Sequence, residues 1–74
     1  MRKWLKDLRS EKRMSMKEVA SKLGISESYY CAIENGERQK RMDITLVSSL
    51  ASIFGVTIAT IAQFEAELAE QVSA

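Results

Sequence analysis

This chain of 74 residues has no histidine, no proline and one cysteine, Cys31. Each absence removes a class of function. A single thiol cannot close a disulfide within the chain, and without histidine a structural zinc site has almost no ligands to draw on. No metal site is therefore expected. No imidazole is available as a general base, and no nucleophile–base pair is present. Glycine is scarce as well: Gly24, Gly36 and Gly55 are the only three. Each falls at the end of an apolar-periodic segment, where a left-handed residue stops a helix, and none forms a phosphate-cradling loop. No catalytic residue and no cofactor are expected; these absences point to a binding protein, not an enzyme. An apolar run of membrane length is missing, and so is the basic start and long apolar stretch of a signal peptide. No membrane partner is expected, and the default compartment is the cytoplasm.

Basic residues are absent from the second half of the chain. All eleven Lys and Arg lie within residues 1–41, against six acids there (Asp7, Glu11, Glu18, Glu27, Glu34 and Glu37), a balance of +5. Residues 42–74 hold only Asp43, Glu65, Glu67 and Glu70, a balance of −4. The overall +1 thus hides a basic end suited to phosphate and an acidic end kept away from it. A solvated surface whose signs happen to segregate is the plainer alternative. Hydrophobic residues make up 46% of the chain, enough to pack one small core. The length is close to the lower limit for one that is unaided.

Apolar spacing is helical throughout, and no segment alternates as a strand does. A first helix is expected over about residues 2–13, with Trp4, Leu5 and Leu8 inward. Ser15 followed by Glu18 makes a capping box for a second helix, about 16–23, which Gly24 ends. Ser26 caps a third, about 27–35, closed by Asn35-Gly36. A basic loop, Glu37-Arg38-Gln39-Lys40-Arg41, follows. Asp43 caps a fourth helix, about 44–54, in which Val47, Leu50, Ala51 and Phe54 keep helical spacing; Gly55 ends it and Thr57 caps a fifth. The expected fold is all-α with five helices. Helix, short glycine-bearing turn, helix over residues 15–36 is the layout of a DNA-reading helix-turn-helix.

The chain resembles the phage-repressor and Cro-type, or Xre, helix-turn-helix family, whose fold is lambda-repressor-like. The residues that carry the resemblance are Leu8-Arg9, Glu18-Val19-Ala20, Leu23-Gly24-Ile25-Ser26, Ile33-Glu34-Asn35-Gly36, Leu50-Ala51 and Phe54-Gly55-Val56. The match covers roughly residues 2–62, with 63–74 as a C-terminal extension of the fifth helix. The resemblance implies a cytoplasmic, nucleoid-associated protein of bacterial or phage origin whose partner is double-stranded DNA. It also implies an ion pair between Arg9 and Glu34 that holds the reading helix at its angle.

An α-helix enters the major groove, and exposed residues near its N-terminus reach base edges. With Tyr30 and Ile33 inward, the outward positions are Glu27, Ser28, Tyr29 and Ala32, which match the base-reading positions of the family. Their chemistry departs from the glutamine and arginine common among relatives. Glu27 can accept from a cytosine amino group, Ser28 pairs with several edges, and Ala32 or the Tyr29 ring can touch a thymine methyl. Glu27 has a second reading, as an acid favoured by the helix dipole. Phosphate contacts are assigned to the N–H groups of Met16 and Lys17 at the start of the second helix. Asn35, by resemblance, joins them, and Arg38, Gln39, Lys40 and Arg41 extend that edge. At Met16 relatives often carry a glutamine, and in the loop after the third helix often a proline. Cys31 reads as a small filler.

Beyond the minimal domain, Ile61, Phe64, Leu68 and Val72 recur on one helical face. Three readings stay open: the face folds onto the core, meets a twin, or frays. Ile61, Phe64 and Leu68 are the candidates for a homodimer contact. The function expected is a sequence-specific DNA-binding transcriptional regulator, a repressor on a palindromic operator. The alternative is an antitoxin or interaction module whose partner is a protein, a toxin or an effector, bound through the acidic half.

Overall fold

The computed structural model describes residues 1–73, with side chains described as far as Ala69. Five helices follow one another: α1 (Lys3–Glu11), α2 (Met16–Leu23), α3 (Glu27–Glu34), α4 (Ile44–Phe54) and α5 (Ile58–Ser73). No strand occurs among the described residues, and no single helix among them is long and apolar enough to cross a membrane. The fold is all-helical and lambda-repressor-like.

Local chemistry sets most of the ends. Ser15 Oγ accepts from the Glu18 N–H at 3.0 Å while Glu18 Oε1 accepts from the Ser15 N–H at 3.3 Å, so two orphan donors at the start of α2 are satisfied reciprocally. Ser26 caps α3 through the Tyr29 N–H at 3.1 Å. Asp43 caps α4 through the Leu46 N–H at 2.7 Å, and Thr57 Oγ1 accepts from the Thr60 N–H at 3.1 Å at the start of α5. Gly24 (φ 73°) and Gly55 (φ 66°) are left-handed C-caps.

Helix α1 is shorter than the expected 2–13. Arg2 stands outside it at φ −87°, ψ 81°, because its N–H is drawn to the Glu34 carbonyl at 2.6 Å. At the other end Arg13 takes φ 54°, a left-handed turn that α-helix cannot continue through. The third helix likewise stops at Glu34, with Asn35 as its C-cap.

Ten side chains form the core: Leu5, Val19, Ala20, Tyr30, Ile33, Val47, Leu50, Ala51, Phe54 and Ile61. Four of them belong to α4, which packs against α2 and α5, while α3 packs against α2 and α1. Trp4, Leu8, Leu23, Ile25 and Tyr29 close over it as a half-buried shell.

Ile61 requires a correction. It was expected on the dimer face, but it is fully buried in the core of the single chain, so no second copy can reach it. Phe64 and Leu68 stay half-buried at the surface. Phe64 stacks on Trp4 with ring centroids 5.5 Å apart and 22° between planes, an offset geometry that aromatic pairs favour. The start of the extension therefore seats on α1. The side chain of Val72 lies outside the described residues.

Candidate nucleic-acid interface

The α2–turn–α3 unit presents two adjacent rows of groups. The first is the start of α2. Met16 and Lys17 N–H groups find no acceptor among the described residues, as the geometry of a helix start requires. They sit at the positive end of the helix dipole, and Lys17 is exposed beside them. Together they form a place where a phosphate oxygen is welcome. Met16 is half-buried and packs partly on the core; with Glu27, Ser28 and Cys31 it lines a shallow depression.

The second row is the outer face of α3. Glu27 and Ser28 are exposed and Ala32 is half-buried. Tyr30 and Ile33 lie on the opposite side, at 0% and 1% exposure, which fixes the rotation of the helix. Tyr29 is only partly the outward residue expected. It is half-buried against the core, beside Leu23, Ile25 and Leu46. Its hydroxyl accepts from Gln39 Nε2 at 3.1 Å. The residue stays partly exposed, but its hydroxyl is engaged within the chain.

That bond also revises Gln39. Expected to face phosphate, its amide is spent at both ends, since Oε1 accepts from the Asp43 N–H at 3.3 Å. The residue takes φ 54°, and its side chain ties the loop to α3 and to the start of α4. Arg38, Lys40 and Arg41 are exposed around it and carry the free positive charge of this edge. Asn35 is exposed too; its Nδ2 lies 3.6 Å from Cys31 Sγ, a weak contact.

Behind the reading face, Arg9 Nε donates to Glu34 Oε2 at 2.7 Å and Nη2 to Oε1 at 3.4 Å. The two nitrogens meet the two oxygens of one carboxylate, the fork geometry that makes such pairs directional. Arg9 Nη1 also donates to the Met14 carbonyl at 3.1 Å. Glu34 is 0% exposed and the Arg9 side chain 14%. The hydrogen bond and charge of Glu34 raise the Arg9 pKa above its ordinary value. Tyr30 sits against it. Its buried hydroxyl makes no hydrogen bond among the described residues. Burial first, then the neighbouring Glu34 carboxylate, push its pKa up from 10.0 against the smaller opposing pull of the Arg9 guanidinium, because a phenolate there would be cut off from water and face a carboxylate.

Sequence reasoning missed Arg2, the most heavily bonded side chain among the described residues. It is 1% exposed. Nε meets Glu65 Oε1 and Oε2 at 3.0 and 3.1 Å. Nη1 donates to the carbonyls of Ile33 at 2.6 Å and Arg38 at 3.1 Å, and Nη2 donates to the Gln39 carbonyl. Trp4 Nε1 donates to the same Glu65 carboxylate at 2.8 Å. No apolar period marks an arginine just ahead of a helix. The one available signal was Glu65, an acid on the face of α5 that carries Ile61 and Phe64.

An exposed first turn of α3, a free helix start beside it and a basic loop at its end describe a helix-turn-helix DNA-binding domain. The family model described as Helix-turn-helix matches residues 5–61, and the chain belongs to that family, in its Xre-type branch. Two curated relatives extend the comparison. The chain is 51% identical over 39 residues, 53% of its own length and 51% of the relative's, to the uncharacterized HTH-type transcriptional regulator YqaF of Bacillus subtilis (strain 168). It is 34% identical over 55 residues, 74% of its length and 48% of the relative's, to the cryptic phage CTXphi transcriptional repressor RstR of Vibrio cholerae. The chain thus spans about half the length of these relatives. No solved structure matches it.

Proposed function

We propose that this chain is the DNA-reading part of a transcriptional repressor that binds a palindromic operator as a dimer. The observation that carries the reading is the exposed first turn of α3, Glu27 and Ser28, flanked by free N–H groups of α2 on one side and by Arg38, Lys40 and Arg41 on the other. Base edges are read by the first group and phosphates by the other two, so affinity and specificity come from different residues. The bases of the family are read here by an acid, a hydroxyl, a ring edge and a methyl. None of these can make the bidentate contact to guanine that arginine makes. The operator is therefore expected to depend on cytosine amino groups and thymine methyls at the contacted steps. RstR is named as a repressor, and that name supports the direction of regulation.

The DNA-binding unit is assigned to residues 2–62. The extension, 63–74, supplies the remaining dimer candidates, Phe64 and Leu68. A two-fold complex places half-sites about 34 Å apart, one turn of duplex. Work in the cytoplasm on the nucleoid follows from this role. Selection of bound sequences from a random duplex pool is the test. A palindrome with half-sites one turn apart is the expected result. Recovery of unselected sequence at every round, with capture of a protein partner through the acidic half, would instead make the chain an antitoxin-type interaction module.

A further inference from the structure

Four backbone carbonyls converge on one residue. The Arg2 guanidinium holds those of Ile33, Arg38 and Gln39, and the Arg2 N–H holds that of Glu34. Two belong to the end of α3 and two to the loop that follows it. The loop's other ties are local: the N–H groups of Asn35, Gly36, Glu37 and Arg38 reach back to the Cys31, Ile33 and Ala32 carbonyls, and the Gln39 side chain bridges Tyr29 and Asp43. It lacks a proline to stiffen it, and at Gln39 it takes a left-handed turn that non-glycine residues resist. A buried guanidinium also needs a counter-charge. Glu65 supplies it from α5, steadied by the Trp4 indole.

We propose that Arg2 is a positioning residue for DNA binding: its buried guanidinium, neutralised by Glu65, sets the 35–41 loop so that Arg38, Lys40 and Arg41 face the phosphate backbone. Arg2 itself never touches DNA, since every nitrogen of its guanidinium is engaged inside the fold and the residue is 1% exposed. It acts by sparing the loop an ordering cost at the moment of binding. Fixing the backbone of one free residue weakens binding by roughly a factor of ten. A guanidinium is required because three carbonyls and a carboxylate surround one planar fork, and an ammonium cannot span them. The proposal rests on the reading of this loop as a phosphate-contact edge.

The test compares the wild-type chain with Arg2→Lys and Glu65→Gln. Binding to an operator duplex and to a random-sequence duplex is measured by fluorescence anisotropy across a salt series. Amide hydrogen exchange is followed by NMR, at a temperature where circular dichroism shows full helix content. Arg2→Lys is expected to weaken both duplexes about tenfold with the salt slope unchanged, because the same phosphates are neutralised once the loop is ordered, and with faster exchange confined to residues 35–41. Glu65→Gln is expected to produce a smaller loss of the same kind, and it decides the matter if Arg2→Lys does not fold. The proposal is overturned if a folded variant binds both duplexes as tightly as wild type. It is equally overturned if exchange rises in α4 as much as in the loop, which would make Arg2 a general strut. Failure of the wild type to bind any duplex is a separate result: it removes the DNA reading first, and this proposal with it.

Discussion

Glu34→Gln is the most informative single change, because the structure fixes what is left behind. The carboxylate is fully buried and pairs with an Arg9 side chain that is 14% exposed. Glutamine keeps one acceptor oxygen but points an NH2 group at the guanidinium, where Oε1 or Oε2 stood. Breaking a buried pair by removing one partner costs about 3–5 kcal/mol. Arg9 is not wholly sealed, and it retains the Met14 carbonyl at 3.1 Å, so water screens part of the orphaned charge. About 2–3 kcal/mol is the expected loss. For a domain of this size each kcal/mol moves Tm by about 4–8 °C, so a fall of about 10–20 °C should follow. Glu37→Gln is the control, an exposed loop carboxylate whose loss should stay within about 0.5 kcal/mol. Thermal melts and urea titrations followed by circular dichroism measure both. Adding Arg9→Met to Glu34→Gln should recover part of the loss, since no charge is then stranded. Equal, small effects of Glu34→Gln and Glu37→Gln would remove the tether from the account of how α3 is held.

Other outcomes follow from the same geometry. Tyr30→Phe removes a buried hydroxyl without a partner and should leave the fold at least as stable at neutral pH. Burial and Glu34 hold the folded-state phenol pKa above the unfolded value of 10.0. Wild-type stability is therefore undiminished below pH 10 and falls above it, by at most about 1.4 kcal/mol per pH unit. The gap in favour of Tyr30→Phe should widen there in urea midpoints, and a constant gap would refute the assignment. Ser28→Ala should lower operator affinity by about 1–3 kcal/mol with no change in random-sequence binding or Tm; an equal loss on random duplex would move Ser28 to the phosphate row. Tyr29→Ala should lower Tm as well, because its ring packs on the core and its hydroxyl holds Gln39. Leu68→Glu, chosen beyond the Trp4–Phe64 stack, should shift sedimentation toward monomer and weaken operator binding; an unchanged sedimentation coefficient would place any dimer contact elsewhere.

Helix identity and order were legible because each segment carries its own signals. Ser15 with Glu18, Ser26, Asp43 and Thr57 mark starts, and Gly24 and Gly55 mark ends. The inward face of α3 followed from the spacing of Tyr30 and Ile33. What escaped was set by tertiary contact or by backbone conformation that side chains do not announce. Arg13 and Gln39 turn left-handed where glycine was the only cue available, so α1 ended early and the loop was read as freely presented. Ile61 shares its stripe with Phe64 and Leu68, and spacing cannot say how deep along a stripe the core reaches. Arg2 was illegible for a different reason. Its partners are mostly carbonyl oxygens, which every residue possesses and no sequence pattern distinguishes.

The single tryptophan has a use of its own. Trp4 stacks on Phe64 and donates its indole N–H to Glu65, while the reading face of α3 lies elsewhere on the domain. Its fluorescence is therefore a native optical reporter of the seating of α5 on α1 and of the Glu65 carboxylate that holds Arg2. A change in emission colour or quenching on adding DNA registers a rearrangement at this junction, read out without any label.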